Sequence, residues 1–340
     1  MTTKAMSIKE QTSWQYQVRH LVSHSPVIGP LAVFIIIFVL LSLFVDKFFT
    51  FRSVTGIINA ATLSGVLTVG VTLLMIGGEF DLSVGSMLAV GGYIFGGLAM
   101  AGHPWLGAIL ALLGTGILGA INGLILVKTK IPSFIVTLGT RYFYRGMLWV
   151  ISSGQMLQTV EKIPAYNLLN GRLDILNDIL PGANFRTALI WLLLLVIGFQ
   201  FVLTRTVFGN HVFAVGGNSG AAIGQGVNVN RVRVTLFVIT GVLAGFAGIL
   251  LFSQFTTVRV ASGDGMELSA IASAVVGGTL ITGGAGSVWG ALVGVLTISM
   301  LRTGVVLMQI PFIPADNFEA IVGVTIILAV ILNNWLRSRT

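Results

Sequence analysis

Residues 27 to 45 read VIGPLAVFIIIFVLLSLFV, nineteen positions without a charge, and comparable apolar runs recur along the chain. Run length of this kind governs what the chain can fold into, because about 20 apolar residues in a helix cross the roughly 30 Å hydrocarbon core of a bilayer. A chain of 340 residues could hold two or three soluble domains, but a mean hydropathy of +0.96 with only 9% charged residues excludes them. Open sheets are excluded as well, since lipid offers backbone groups no partners, and the alternation of a membrane barrel is absent. The sequence therefore reads as an all-α polytopic membrane protein.

Spans are expected at about 27–45, 54–77, 82–101, 105–127 and 132–153. A polar interval, 155–186, separates these from 187–204, 235–255, 267–283, 286–308 and 318–335. That makes about ten helices in two groups of five, a single transmembrane domain over 27–335 with halves at 27–153 and 187–335, preceded by a polar tail at 1–26. The segment 132–153 is the least regular, because Arg141 and Arg145 interrupt it and it could be broken or re-entrant. With the N-terminus inside, Lys4, Lys9, Arg19, Lys128, Lys130, Arg205, Arg231, Arg233, Arg337 and Arg339 all fall on inner segments, a bias that favours both termini in the cytoplasm.

Two stretches match each other. GGEFDLSVGSMLAVGG begins at Gly77, and ELSAIASAVVGGTLITGG begins at Glu267. At a constant offset of 186, Asp81 falls on Glu267, Leu82 on Leu268, Ser83 on Ser269, Val90 on Val276, Gly91 on Gly277, Gly92 on Gly278 and Gly97 on Gly283. Five spans per half is an odd number, so the repeat is inverted. Asp81 is then expected at the inner end of the third span and Glu267 at the outer end of the eighth. Inverted repeats build transporters, since the two halves can exchange conformations.

An acid or hydroxyl ahead of a helix accepts hydrogen bonds from its free N–H groups and meets the positive end of its dipole, so capping is one reading of both acids. Lining a permeation path or gate at the two mouths is another, with Asp81, Ser83, Ser86, Glu267, Ser269 and Ser273 as the candidates. A proton relay is a third. Glycine, alanine and serine recur at spacings of three and four, which lets membrane helices approach closely. Arg141 and Arg145 share one helix face and could pair with acids, snorkel or bind an anion, and Arg302 could do likewise.

Residues 205–234, RTVFGNHVFAVGGNSGAAIGQGVNVNRVRV, are too polar to span and longer than a connection needs, so a docking surface for a cytoplasmic partner is expected there. The sequence has no GxxxxGK[ST] loop and no catalytic serine or HExxH pattern, so neither ATP hydrolysis of that type nor proteolysis is expected. There is no cysteine, and the four histidines lack ligand spacing, so no metal site is expected. The net charge of +8 lacks the basic runs of a nucleic-acid binder.

In order, GGEFDLSVGSMLAVGG, KIPSFIVTLGTRYFYRGM, FGNHVFAVGGNSGAAIGQGVNVNRVRV and GMELSAIASAVVGGTLITGGAGSVWGALVGV resemble the permease subunits of bacterial ABC importers for ribose, xylose, galactose and related sugars, over roughly residues 30 to 335. The resemblance implies a type II importer fold, an inner-membrane location, a second permease copy, a cytoplasmic ATPase subunit that binds the ATP, and a periplasmic sugar-binding protein. It also implies an ATPase-docking role for Gly216, Gly217, Asn218, Ala221, Ala222 and Gly226. An acid commonly follows the Gly-Gly-Asn in that family, whereas Ser219 stands in this chain. Glu79 has no counterpart in the second copy, where Gly265 occupies its place.

Overall fold

The computed structural model describes residues 27–308 together with Gly323, Val324 and Ile327. The expected tail at 1–26 lies outside the described residues, as do all but these three residues of the expected span at 318–335. Among the described residues, five helices are long and apolar enough to cross a membrane: α2 (Phe51–Ile76), α4 (Pro104–Thr129), α8 (Ala188–Arg205), α11 (Val229–Phe255) and α13 (Val288–Met308). Shorter apolar helices are α1 (Ile28–Phe44), α3 (Val84–Met100) and α12 (Met266–Val276). Among the described residues the chain is thus a polytopic helical membrane protein.

One span expectation is kept without a break and another changes. Residues 132–153 form one continuous helix, α5 (Ser133–Ser152), despite its two arginines. The expected span 267–283 is not one helix, because α12 has only 11 residues, about 16 Å, and residues 277–287 are irregular. Its end has a local cause. Gly277 N donates to Ser273 O, Thr279 N donates to Ala274 O, and Gly278 adopts φ +88°, the left-handed cap that favours glycine. Helix α2 ends the same way, with Glu79 N on Leu74 O and Gly78 at φ +84°. The offset of 186 therefore pairs unlike backbone at its far end, since Gly91 and Gly92 lie inside α3 while Gly277 and Gly278 terminate α12.

Helix α11 is the centre of the bundle and packs on α4, α3 and α2, while α13 packs on α2 and α12. Small residues make this possible. A Cβ on Gly91 would stand 2.7 Å from Gly245 Cα, and one on Gly248 would run into Leu88 O and Gly92 N, so α3 and α11 touch backbone to backbone. Dispersion contacts, rather than apolar transfer from water, are what such packing contributes inside lipid.

The polar interval forms a cap over one end of the bundle. It contains β1 (Leu157–Gln158), α6 (Pro164–Asn170) and α7 (Asp174–Ile179), and β1 pairs antiparallel with β2 (Thr257–Val258) just past α11. At the opposite end, which carries Lys128, the segment 205–234 folds as α9 (Val207–Gly217), α10 (Ser219–Gly224) and the start of α11.

Candidate functional site at the middle of the bundle

After α2 ends, the chain turns back into the bundle before α3 begins, and α5 supplies the polar groups that make this possible. Phe80 N donates to Ser133 Oγ at 3.0 Å, Leu82 N donates to Thr137 Oγ1 at 3.1 Å, and Ser86 Oγ donates to the Arg141 carbonyl at 3.0 Å. These partners lie four residues apart, so residues 80–86 climb α5 one turn at a time. Non-helical backbone at membrane depth is tolerated when protein groups satisfy it in this way.

Asp81 is fully buried on this climb. Its Oδ1 accepts from Ser83 N at 2.7 Å and from Ser83 Oγ at 2.6 Å, while Asn122 Nδ2 lies 2.8 Å from Ser83 Oγ and 3.4 Å from Asp81 Oδ2. Tyr144 on α5 donates its hydroxyl to Asn122 Oδ1 at 2.8 Å. Asp81 therefore closes a turn onto Ser83 just ahead of α3, and the Ser83 side chain accepts no cap hydrogen bond from the helix.

Depth follows from α4. Tyr144 Oη also lies 3.0 Å from the carbonyl of Leu118, the fifteenth of 26 residues in α4, so this cluster is level with the middle of a spanning helix.

Glu267, in the first turn of α12, comes to the same level. Its carboxylate packs against Gly85 and lies 2.8 Å from Arg141 Nη2. Arg141 also reaches Asp264 Oδ1 at 2.6 Å, and Arg145 donates Nε to Ser86 Oγ and Nη1 to the Val260 carbonyl. The expectation that Asp81 and Glu267 guard opposite mouths is corrected: the first turns of α3 and α12 meet inside the bundle. The reason is that residues 77–83 and 259–265 both run inward as irregular backbone before their helices start.

The candidate path residues divide three ways. Asp81 and Ser83 belong to the Asn122 cluster, and Ser86 and Glu267 to the arginine cluster. Ser269 and Ser273 line a separate cavity of about 380 Å³ with Asn59, Ser64, Gln254 and Arg302. Sequence reading missed Asn122, Ser133, Thr137, Tyr144 and Asp264. The signal for part of this set was present, since Ser133, Thr137, Arg141 and Arg145 form a polar stripe at spacing four along an otherwise apolar helix.

At the Lys128 end, Arg233 Nε approaches Glu79 Oε1 at 2.8 Å as an ion pair without hydrogen-bond alignment.

The segment assigned to docking is ordered by its own asparagine, because Asn218 Oδ1 accepts from Ala221 N at 2.9 Å and starts α10. Gly217, Asn218, Ala221 and Gly226 are exposed, whereas Ala222 is buried. Gly216 meets the Ile76 carbonyl at the end of α2, and Gly284 N donates to that same carbonyl at 2.8 Å. The 205–234 segment, the end of α2 and the α12–α13 loop thus share one backbone junction.

The family model for branched-chain amino acid transport system permease components matches residues 53–330. The L-arabinose ABC transporter permease protein AraH of Azospirillum brasilense is 32% identical, over 92% of this chain and 88% of its own length. The ribose import permease protein RbsC of Bacillus subtilis is 30% identical over 90% of this chain and 92% of its own. The xylose transport system permease protein XylH of Escherichia coli is 31% identical over 85% of each. No solved structure matches significantly. With its apolar helices, its broken-helix centre and a match that covers most of its length, this chain belongs to the family of ABC-transporter permease components that includes these three proteins.

Proposed function

We propose that this chain is the translocating subunit of an ATP-driven importer for a sugar or related polyol, residing in a bacterial inner membrane. In this reading two copies, or this chain and a similar subunit, alternate between inward-open and outward-open states. A cytoplasmic ATPase subunit docks on 205–234 and a periplasmic binding protein delivers the solute. The observation that carries the reading is the near-full-length match to permeases named for arabinose, ribose and xylose.

Geometry supports the inverted repeat. Helices α2 and α11 run in opposite directions, as do the shorter α3 and α12 and the longer α4 and α13, and the starts of α3 and α12 meet at mid-depth. Discontinuous helices at the bilayer middle are a recurring device in transporters built from inverted repeats. The positive-inside bias supports both termini in the cytoplasm, with the Lys128 end as the inner one.

Ion-coupled secondary transport is the rival reading. It expects ionisable groups and unwound segments near the midplane, and both occur in this bundle. Those charges, however, close on one another through Arg141, Asp264 and Glu267, and the named relatives are permeases of transport systems rather than ion-coupled carriers. Reconstitution with the cognate ATPase and binding protein tests the choice. Sugar uptake that requires ATP supports the importer, while uptake that survives without the ATPase and collapses with the ion gradient sinks it.

A further inference from the structure

Asp264 presents a contradiction if it faces lipid. Its side chain is 56% exposed, yet it pairs with Arg141, one helical turn from Tyr144 and level with the middle of α4. An ionised carboxylate facing hydrocarbon at that depth is costly, so exposed charges at membrane depth face the bundle interior or water-filled space. Arg141 and Arg145 share this position, with side chains 21% and 18% exposed.

The charges also balance. Arg141 and Arg145 oppose Asp264 and Glu267, so the cluster presents donors and acceptors without net charge. Both arginines approach the same Asp264 oxygen, Oδ1, at 2.6 and 3.9 Å, which leaves Oδ2 outside those ion pairs. Arg145 Nη2 is buried and makes no hydrogen bond. Guanidinium forks donate and carboxylates accept, and together they match neighbouring hydroxyl groups on a sugar ring. A net positive or negative cluster would instead favour a counter-ion.

We infer that Asp264, with Arg141 beside it and Arg145 behind it, lines the aqueous path at mid-depth and hydrogen-bonds an uncharged polyhydroxylated solute in transit. The inference rests on the sugar-importer reading for the ligand class. Its location rests on Asp264's own exposure and depth. Glu267 is the buried counter-charge that holds Arg141 in position, and Ser86 does the same for Arg145.

The permease contains no cysteine, so Asp264→Cys introduces its single thiol. The test uses the assembled transporter in proteoliposomes, with a membrane-impermeant methanethiosulfonate reagent. The Asp264→Cys variant is expected to be labelled, and Ile117→Cys, on the exposed apolar face of α4, is not. Uptake of D-ribose, D-xylose, L-arabinose and L-leucine is then compared between wild type and Asp264→Asn. The Asn variant is expected to lose roughly tenfold or more of the uptake of whichever pentose the wild type carries, while the binding protein still stimulates ATP hydrolysis. Asp264→Glu is expected to recover part of it. An Asp264→Cys variant that stays unlabelled overturns the proposal. So does an Asp264→Asn variant that carries the pentose as well as wild type, and in that case the sugar reading stands. Wild-type uptake of leucine alone overturns the sugar reading and the ligand class together.

Discussion

Arg141 on α5 and Glu267 at the start of α12 are 2.8 Å apart, 126 positions away in sequence, and Glu267 has no solvent exposure. The backbone carbonyl of the same Arg141 accepts the Ser86 hydroxyl from the first turn of α3. One residue thus holds the starts of both α3 and α12, which makes α5 the element that sets where they meet.

Removing that arginine leaves a buried carboxylate without its cation. Arg141→Ala is expected to destabilise the protein by about 3–5 kcal/mol, the usual cost of breaking a buried pair from one side. Adding Glu267→Gln should recover part of the loss, because the uncompensated charge goes with it. Thermal unfolding in detergent reads both, and an Arg141→Ala variant as stable as wild type would contradict the assignment.

Asn122 satisfies three groups at once: Ser83, Asp81 and Tyr144. Asn122→Ala strands buried polar atoms, each at about 1–3 kcal/mol, whereas Tyr144→Phe removes one hydroxyl and is expected to cost about 1 kcal/mol. The ordering, with Asn122→Ala clearly worse, is the result to look for in detergent melting curves.

Two glycines in the first and second halves make opposite forecasts. Gly248→Ala drives a methyl into the backbone of α3, which cannot yield, so overpacking of at least about 1–3 kcal/mol is expected. Gly97→Ala meets nothing within 4 Å and improves helix propensity by up to about 1 kcal/mol. Size-exclusion profiles of the two variants should differ, with monodisperse protein retained only for Gly97→Ala.

On α10, Ile223 is 63% exposed and Ala222 is buried. If this helix docks the ATPase, Ile223→Glu should abolish co-purification of the ATPase subunit while leaving the permease monodisperse. Ala222→Trp should instead damage the permease itself. Retained co-purification with Ile223→Glu would remove α10 from the docking surface.

The bilayer class, most helix positions and the small-residue faces were legible in the sequence because they depend on local composition and spacing. The run VIGPLAVFIIIFVLLSLFV becomes α1, and the glycine spacings of α3 and α11 become their contact. Family membership was legible for the same reason, since the motifs stand in order along the chain. The polar stripe Ser133, Thr137, Arg141 and Arg145 was equally visible, but its meaning depends on which segment lies against it.

Sequence by itself determined that this chain must satisfy its backbone inside a membrane and that Asp81 and Glu267 stand at or just ahead of the starts of apolar helices. Only the tertiary structure decided their depth. Hydropathy assigns a loop to the water, and GGEFDLS and ASGDGME both read as loops. They can lie at mid-depth because side chains distant in sequence supply what water otherwise would: Ser133 and Thr137 take the N–H groups of Phe80 and Leu82, and Arg141 takes the charges of Asp264 and Glu267. Hydrogen bonds and ion pairs between residues 53 to 126 positions apart leave no local periodicity, so their geometry appears only when the helices are packed.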